Sequence, residues 1–319
     1  MHNTNVSGML GSRNSYLKQS KTAAKKCFLQ LKNSIFAFMK INQLQTLFHK
    51  ELVSLFPKTE IDSFYNILVE HKLGMTRIDR AMQPQFELNR EQTSYFTRTI
   101  EALRNETPVQ YITGTSHFYG STFNVNSNVL IPRPETEDLV SWILEDIRKE
   151  AKIDILDIGT GSGCIAISLA KNLKNATVWA LDFSEDAIQT AKVNALANKV
   201  DIQFLQQDIL KTHELDKSFD IIVSNPPYVR ELEKKEIQKN VLAYEPHSAL
   251  FVEDTNPLIF YDKITTLAGK HLNPNGKLYF EINQYLATEM MEMLRNKGFT
   301  KNELRKDIFG NDRMTKSMV

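Results

Sequence analysis

Long apolar runs are missing from this 319-residue chain: none approaches the ~20 residues that a bilayer-spanning helix requires, so no membrane partner is expected. Cysteine is almost absent, and the two present, Cys27 and Cys164, cannot build a disulfide framework. A reducing, cytoplasmic compartment follows as the expectation. No Cys/His cluster has metal-ligand spacing, so no metal is expected. Acidic residues are missing from residues 1–50, which hold eight of the 39 basic residues; all 38 acids fall in the remainder, which carries a net charge of −7. A duplex-binding protein needs an excess of basic surface to neutralise phosphates, and this acidic body lacks it, so nucleic acid is not an expected partner. The chain is expected to act as a monomer.

What is present is enough apolar residue, 42% of the chain, to bury a full core, and the length suits two domains. Residues 1–38 fit this picture poorly. They are rich in Ser, Asn, Thr and Lys up to Ala23, with one apolar cluster from Cys27 to Met39. They read as a leader, either disordered or upstream of a natural start at Met39, and their single Arg counts against a transit peptide.

The most informative residues are Asn225-Pro226-Pro227-Tyr228, directly after the apolar run Phe219-Asp220-Ile221-Ile222-Val223-Ser224. The run reads as a buried strand that the prolines end at once, since Pro cannot donate to a sheet ladder. Asn225 and Tyr228 are thereby presented at a strand's carboxyl end, where open α/β sheets hold their ligands. An Asn carbonyl, a rigid Pro226 carbonyl and an aromatic face suit a planar group bearing an NH2. A polar turn closing a strand is the plainer reading of Pro-Pro alone.

Upstream, Ile153-Asp154-Ile155-Leu156-Asp157-Ile158 enters the turn Gly159-Thr160-Gly161-Ser162-Gly163 and leaves as an Ala-rich helix through Leu169, the layout of a nucleotide-binding βα unit. The glycine spacing is one residue tighter than the dinucleotide fingerprint, and Asp157 stands two positions before it. A carboxylate there repels a pyrophosphate and suits a cationic, phosphate-free ligand. Cys164, just inside the turn, reads as a small packed side chain. Asp182 closes a second apolar stretch and is placed to accept two ribose hydroxyls. Asp208 follows a third and is placed to accept from an adenine amino group. Each Asp singly is more simply a loop acid or helix cap; three at successive strand ends are hard to assign that way.

Together these motifs resemble the class I S-adenosylmethionine-dependent methyltransferases. Asn-Pro-Pro-Tyr narrows the likeness to enzymes that methylate planar nitrogens. Pro108 to Gly114, Phe118-Tyr119-Gly120, Ile131 to Glu137 and Asp307 to Arg313 resemble signatures of the HemK/PrmC family of protein glutamine methyltransferases, from about Met39 onward. Two departures stand out: Phe309 occupies a position where the family usually has a small residue, and Ile209 one where some members stack an aromatic ring near the adenine.

The resemblance implies a Rossmann-like α/β domain with a seven-stranded, mainly parallel sheet over residues 131–319. A helical substrate-binding bundle is implied over 39–107, with a hairpin linker over 108–130. It implies S-adenosyl-L-methionine as cofactor, held by Asp157, Gly159, Thr160, Gly161, Ser162, Gly163, Asp182, Asp208, Ile209 and Asn225. It implies substrate binding by Asn225, Pro226, Pro227 and Tyr228, with Asn225, Pro226 and Tyr228 catalytic. The substrate implied is the Gln side-chain amide in the Gly-Gly-Gln motif of class I peptide chain release factors. An adenine-amino methyltransferase acting on DNA or RNA is the alternative, and a nucleoside-binding regulatory module a third reading if the Asn225 pocket is blocked.

Periodicity fills in the rest. Ile41, Leu44, Leu47, Phe48, Leu52 and Leu55 predict a helix ended by Pro57; Thr59 with Asp62 predicts a capping box for the next, and Asn89 with Gln92 one for a third. Tyr111 to Val129 carries a weak hairpin signal around Gly114 and Gly120. Arg230 to Glu236 reads as a solvated helical face, and His247 as structural. Lys277 to Ile282 reads as a strand, with Glu281 either paired internally or near the cleft.

Overall fold

Proline and glycine punctuate two sets of elements in the computed structural model, which describes residues 39–319. The readings of the leader and of Cys27 lie outside the described residues. One compact unit ends at Val109 and a second runs from Gln110 to Val319.

In the first unit, α1 (Ile41–Leu52) buries Ile41, Leu44, Phe48 and Leu52, a spacing of three and four that makes one apolar stripe. The stripe faces α2 (Lys58–Leu73) and α4 (Arg90–Arg104), and α3 (Arg77–Met82) lies between these two in the chain. The Phe48 ring stands edge-on to Tyr65 at 5.6 Å and to Phe96 at 6.4 Å. A two-residue antiparallel ladder joins β1 (Met39–Lys40) to β2 (Glu87–Leu88).

The Asn89–Gln92 capping box is present, with reciprocal bonds of 2.9 Å. The Thr59–Asp62 box is not. Helix α2 begins two residues earlier, at Lys58, with Pro57 rather than Thr59 in the cap position and no side-chain cap. Asp62 instead accepts from His49 Nε2 at 2.8 Å, fastening α2 to α1.

The second unit is built on a sheet of order β12-β13-β11-β8-β5-β6-β7. Its strands are β5 (Asp154–Ile158), β6 (Thr177–Asp182), β7 (Gln203–Gln206), β8 (Phe219–Ser224), β11 (Leu272–Glu281), β12 (Lys301–Lys306) and β13 (Asp312–Met318), while the short β9 (Val229–Arg230) and β10 (Phe251–Val252) pair with each other in parallel outside it. The five from β11 to β7 run parallel, and β13 joins β11 and β12 antiparallel.

Alternate residues of the central strands enter two cores. Ile155, Val178, Ala180, Ile221, Val223 and Tyr279 face one side; Leu156, Leu181, Ile222, Leu278 and Phe280 face the other. The first core is covered by α5 (Pro134–Asp146), α6 (Cys164–Asn172) and α7 (Glu185–Asn198). The second is covered by α8 (Ile259–His271) and α9 (Ala287–Asn296). Burial on both faces explains why these strands read as continuous apolar runs.

The hairpin of β3 (Thr115–Phe118) and β4 (Ser121–Asn124) lends Phe118 and Phe123 to the first core, so residues 108–130 are more than a tether. The chain order reverses at β5, with β6 on one side and β8 on the other, and the crevice at their carboxyl ends is where such sheets take ligands.

Gly163 fixes the approach of α6 to α7. Its φ is +81°, and an added Cβ would lie 2.9 Å from Ile167 Cδ1 and 3.1 Å from Ala191 Cβ. Replacing it with Ala combines a left-handed backbone penalty of about 1–2 kcal/mol with helix separation, so Gly163→Ala lowers unfolding free energy by at least that amount. Chemical denaturation checks this, and an unchanged midpoint and slope would refute it.

Candidate active site

At the carboxyl ends of β5, β6 and β8 lies a cavity of about 400 Å³. Of the residues singled out in the sequence, Gly159, Thr160, Gly161, Ser162, Asp182, Asp208, Ile209, Asn225, Pro226 and Pro227 are on its wall. Asp157, Gly163 and Tyr228 stand behind it. Gly163 serves the helix contact described above.

The loop Gly159–Gly163 is held by its neighbours. The amides of Gly159 and Thr160 both donate to the Leu181 carbonyl, at 2.8 and 3.0 Å, and that of Gly161 donates to Asp182 Oδ2 at 2.9 Å. Gly159 and Gly161 have φ of +75° and +55°, a conformation that glycine adopts without steric cost. Asp182 Oδ1 accepts from the Ser184 amide at 3.0 Å, and burial raises its carboxyl above the ordinary carboxylate range.

Asp157 is fully buried at the penultimate position of β5. Its Oδ2 accepts from Thr160 Oγ1 at 2.6 Å and the Ala166 amide at 3.2 Å, so it braces the loop from beneath. Its Oδ1 is buried without a partner. Burial pushes this carboxyl up to about 7, against the opposing pull of Thr160 and Ala166. Cys164 also lines the cavity, and desolvation with the neighbouring Asp157 charge pushes its thiol up to about 12, so it is held as the thiol at neutral pH.

Asp208 is half-exposed and lower than usual, because Lys211 Nζ sits 3.0 Å from its Oδ2. Ile209 lies with Ile158 and Leu181 in an apolar stretch of wall.

Asn225 follows β8 and points Nδ2 at Thr136 Oγ1, 3.3 Å away. Thr136 Oγ1 donates to Glu281 Oε2 at 2.6 Å, and Tyr228 OH donates to Glu281 Oε1 at 3.1 Å. Thr136 and Glu281 are 2% and 1% exposed, so water does not compete for these bonds. Burial raises the Glu281 carboxyl, against the opposing pull of the Thr136 bond, the Arg313 charge and the Tyr228 bond, which favour the carboxylate. Burial and the Glu281 carboxylate together move the Tyr228 phenol far above its ordinary value, so it stays a neutral donor. Glu281 is therefore both paired internally and next to the cleft.

Asn283 Nδ2 donates to the Tyr228 carbonyl at 3.0 Å and to Glu233 Oε2 at 2.9 Å, pinning the turn from the other side. Glu233 is 6% exposed and also pairs with Arg230 at 2.6 Å. The solvated face expected from Arg230 to Glu236 is corrected here: the 3₁₀ turn Glu231–Lys235 turns its central acid inward, where Asn283 and Arg230 satisfy it.

Arg133, on the cavity wall, pairs with Glu245 at 2.5 Å, and Glu245 also accepts from the Ile131 amide at 3.2 Å. His247 Nε2 bonds the Leu242 carbonyl at 2.9 Å, a structural role. Sequence reasoning missed Thr136 as a site residue, although it lies inside the Ile131–Glu137 motif. For Glu281 the signal is a charge in an apolar strand, which predicts internal pairing; the structure adds its place beside the cleft.

Among the described residues no group of three or more His, Cys, Asp or Glu side chains is placed to hold a metal ion. Among the same residues no helix is long and apolar enough to cross a membrane.

Residues 137–249 match the family model "Methyltransferase small domain", and residues 57–114 match "PrmC N-terminal domain". A release factor glutamine methyltransferase of Flavobacterium psychrophilum is 53% identical over 281 residues, covering 87% of this chain and 99% of that protein. Another, of Bacteroides thetaiotaomicron, is 40% identical over 275 residues, covering 86% and 98%. Among solved structures, the hMettl16 catalytic domain in complex with the MAT2A 3'UTR hairpin 6 superposes with a TM-score of 0.50 at 19% identity. It covers 68% of this chain and 80% of that one, and the likeness is one of fold alone.

The raised Asp157 carboxyl has a consequence for stability. In the unfolded chain it ionises near its ordinary 3.8 and in the folded chain near 7, so the folded state holds the extra proton between these values. Stability from this group is thus full below about pH 4 and is lost as pH rises to about 7. Asp157→Asn removes the titration. The stability of this variant relative to the unaltered protein improves from pH 5 to pH 8 in thermal or denaturant unfolding. A difference independent of pH would contradict this.

Proposed function

The chain belongs to the release factor glutamine methyltransferase family, and from that premise we propose that it transfers a methyl group from S-adenosylmethionine to the side-chain amide nitrogen, N5, of a glutamine in a class I peptide chain release factor. The glutamine is that of the Gly-Gly-Gln motif, and the enzyme works as a cytoplasmic monomer. The observation that carries this reading is Asn225, held at the cavity wall with its NH2 committed to Thr136 and its Oδ1 left as an acceptor.

The cavity suits the cofactor. Asp182 offers carboxylate lone pairs for ribose hydroxyls, Ile209 with Ile158 and Leu181 offers an apolar wall for a base, and no Cβ intrudes at Gly159 or Gly161. Asp157 braces the loop from beneath through Thr160 and the Ala166 amide. Bound S-adenosylmethionine supplies the methyl group on a cationic sulfur that leaves with the bonding electron pair.

An amide nitrogen is a poor nucleophile because its lone pair is delocalised into the carbonyl. Asn225 Oδ1 and the Pro226 carbonyl accept the two amide hydrogens and turn the lone pair toward the methyl carbon. Tyr228, behind the wall, supports the turn through its bond to Glu281 rather than by lying over the cavity. Catalysis is then largely alignment and fixed dipoles. The nitrogen gains its methyl while still bearing both hydrogens, and one proton leaves to water afterwards. No general base is assigned, and His247 stays structural.

The direct test incubates the protein and S-adenosylmethionine with a release factor and, separately, with duplex DNA, followed by mass spectrometry. One added methyl on the Gly-Gly-Gln glutamine is the expected result. Methyl groups on adenine with none on the release factor would overturn the reading.

Two substitutions separate binding from transfer. Asp182→Ala removes a charged acceptor worth about 1.5–3 kcal/mol and weakens S-adenosylmethionine about ten- to a hundredfold in calorimetry. Unchanged affinity in a folded variant would remove Asp182 from the cofactor site. Asn225→Ala lowers the transfer rate by about a hundredfold or more while cofactor affinity changes little, since its carbonyl acts on the reacting amide. Near wild-type turnover would sink the amide clamp.

A further inference from the structure

We propose that Thr136 and Glu281 are positioning residues that set which end of the Asn225 amide faces the transfer site, through a one-way chain of hydrogen bonds. The inference rests on the glutamine-methylating reading above and adds a determinant of its geometry. An Asn amide has two ends of nearly equal shape and opposite hydrogen-bonding character. Only the carbonyl end can accept a hydrogen from a substrate amide. The reversed amide would set NH2 against NH2, losing an acceptor and crowding the reacting nitrogen with like partial charge.

Something must therefore fix the amide. The Thr136 hydroxyl has one hydrogen, and it goes to Glu281 Oε2 at 2.6 Å. Its oxygen is then only an acceptor toward Asn225, and Nδ2 lies there at 3.3 Å. Oδ1 is left for the cavity side, where Asn225 forms part of the wall.

Glu281 holds the direction of this chain. Its second oxygen takes the Tyr228 hydroxyl hydrogen at 3.1 Å, so two donors converge on one carboxyl, an arrangement that calls for an acceptor at both oxygens. With Thr136 2% and Glu281 1% exposed, no solvent donor can replace either bond. The same carboxylate fixes Tyr228, three residues after Asn225, so both ends of the Asn-Pro-Pro-Tyr turn are referred to one buried group. The strand β11 delivers that group, and the first turn of α5 delivers the hydroxyl.

The test compares Thr136→Val, which keeps shape and loses the hydroxyl, with Thr136→Ser, which keeps the hydroxyl. Each is assayed for release factor methylation, for S-adenosylmethionine affinity by calorimetry and for melting. Thr136→Val is expected to lose about tenfold or more in kcat with cofactor affinity within about threefold, and Thr136→Ser to recover most of the loss. In an Asn225→Ala background Thr136→Val is expected to cost nothing further, because the group it orients is gone.

The inference is overturned if Thr136→Val turns over like the unaltered enzyme, if Ser does no better than Val, or if the Val and Asn225→Ala losses multiply. If Thr136→Val fails to melt cooperatively, Thr136→Ala takes its place in the same comparison. An inactive unaltered enzyme would overturn the functional reading and this inference with it, whereas an active one beside an equally active Thr136→Val overturns the inference alone.

Discussion

Covering the central sheet on both faces leaves polar chemistry only one place to go. Along β5, β6, β8 and β11 successive residues alternate between two dry cores, so a polar side chain there must be satisfied by protein or be neutralised. The carboxyl ends are different, because backbone amides of the following loops point back at them. Asp182 uses this: at the last position of β6 it collects the amides of Gly161 and Ser184 and still lines the cavity. Asp157 sits one residue short of the end of β5, and that residue makes the difference. It reaches the loop from below, with one oxygen unmatched and its carboxyl raised.

The same constraint explains how much of the site was legible. A strand covered on both faces is a continuous apolar run, and its end is marked by the first residues that cannot continue it. That is why Gly159 to Gly163, Asp182, Asp208 and Asn225 to Tyr228 stood out, and why the sheet that carries them is the expected one. The two capping boxes show the limit of local reading. Asn89–Gln92 has no competitor for its bonds and forms, whereas Asp62 finds a stronger partner in His49, from another helix. Glu233 was misread for the same reason, since Asn283 lies 50 residues away in sequence.

The links among the site's own side chains were out of reach altogether. Thr136 and Glu281 are 145 residues apart, Arg133 and Glu245 112, and Asn225 and Thr136 89. Each residue is unremarkable alone: a threonine in a helix's first turn, an acid at a strand's end, an arginine between prolines. Only the topology, which places α5 beside the carboxyl ends of β8 and β11, makes them neighbours.

Those separations also determine when the site comes into being as the chain folds. Local contacts such as the β3–β4 hairpin or the caps of α4 and α7 close short loops and form early, whereas pairings across a hundred residues follow after most of the chain entropy has been given up. The glycine loop and Asp182 belong to one βαβ segment and can organise together. The Asn225 amide acquires its orientation only when β11 takes its place beside β8. The bonds between the glycine loop and Asp182 need only β5 and β6, whereas the orientation of the Asn225 amide needs α5, β8 and β11 together.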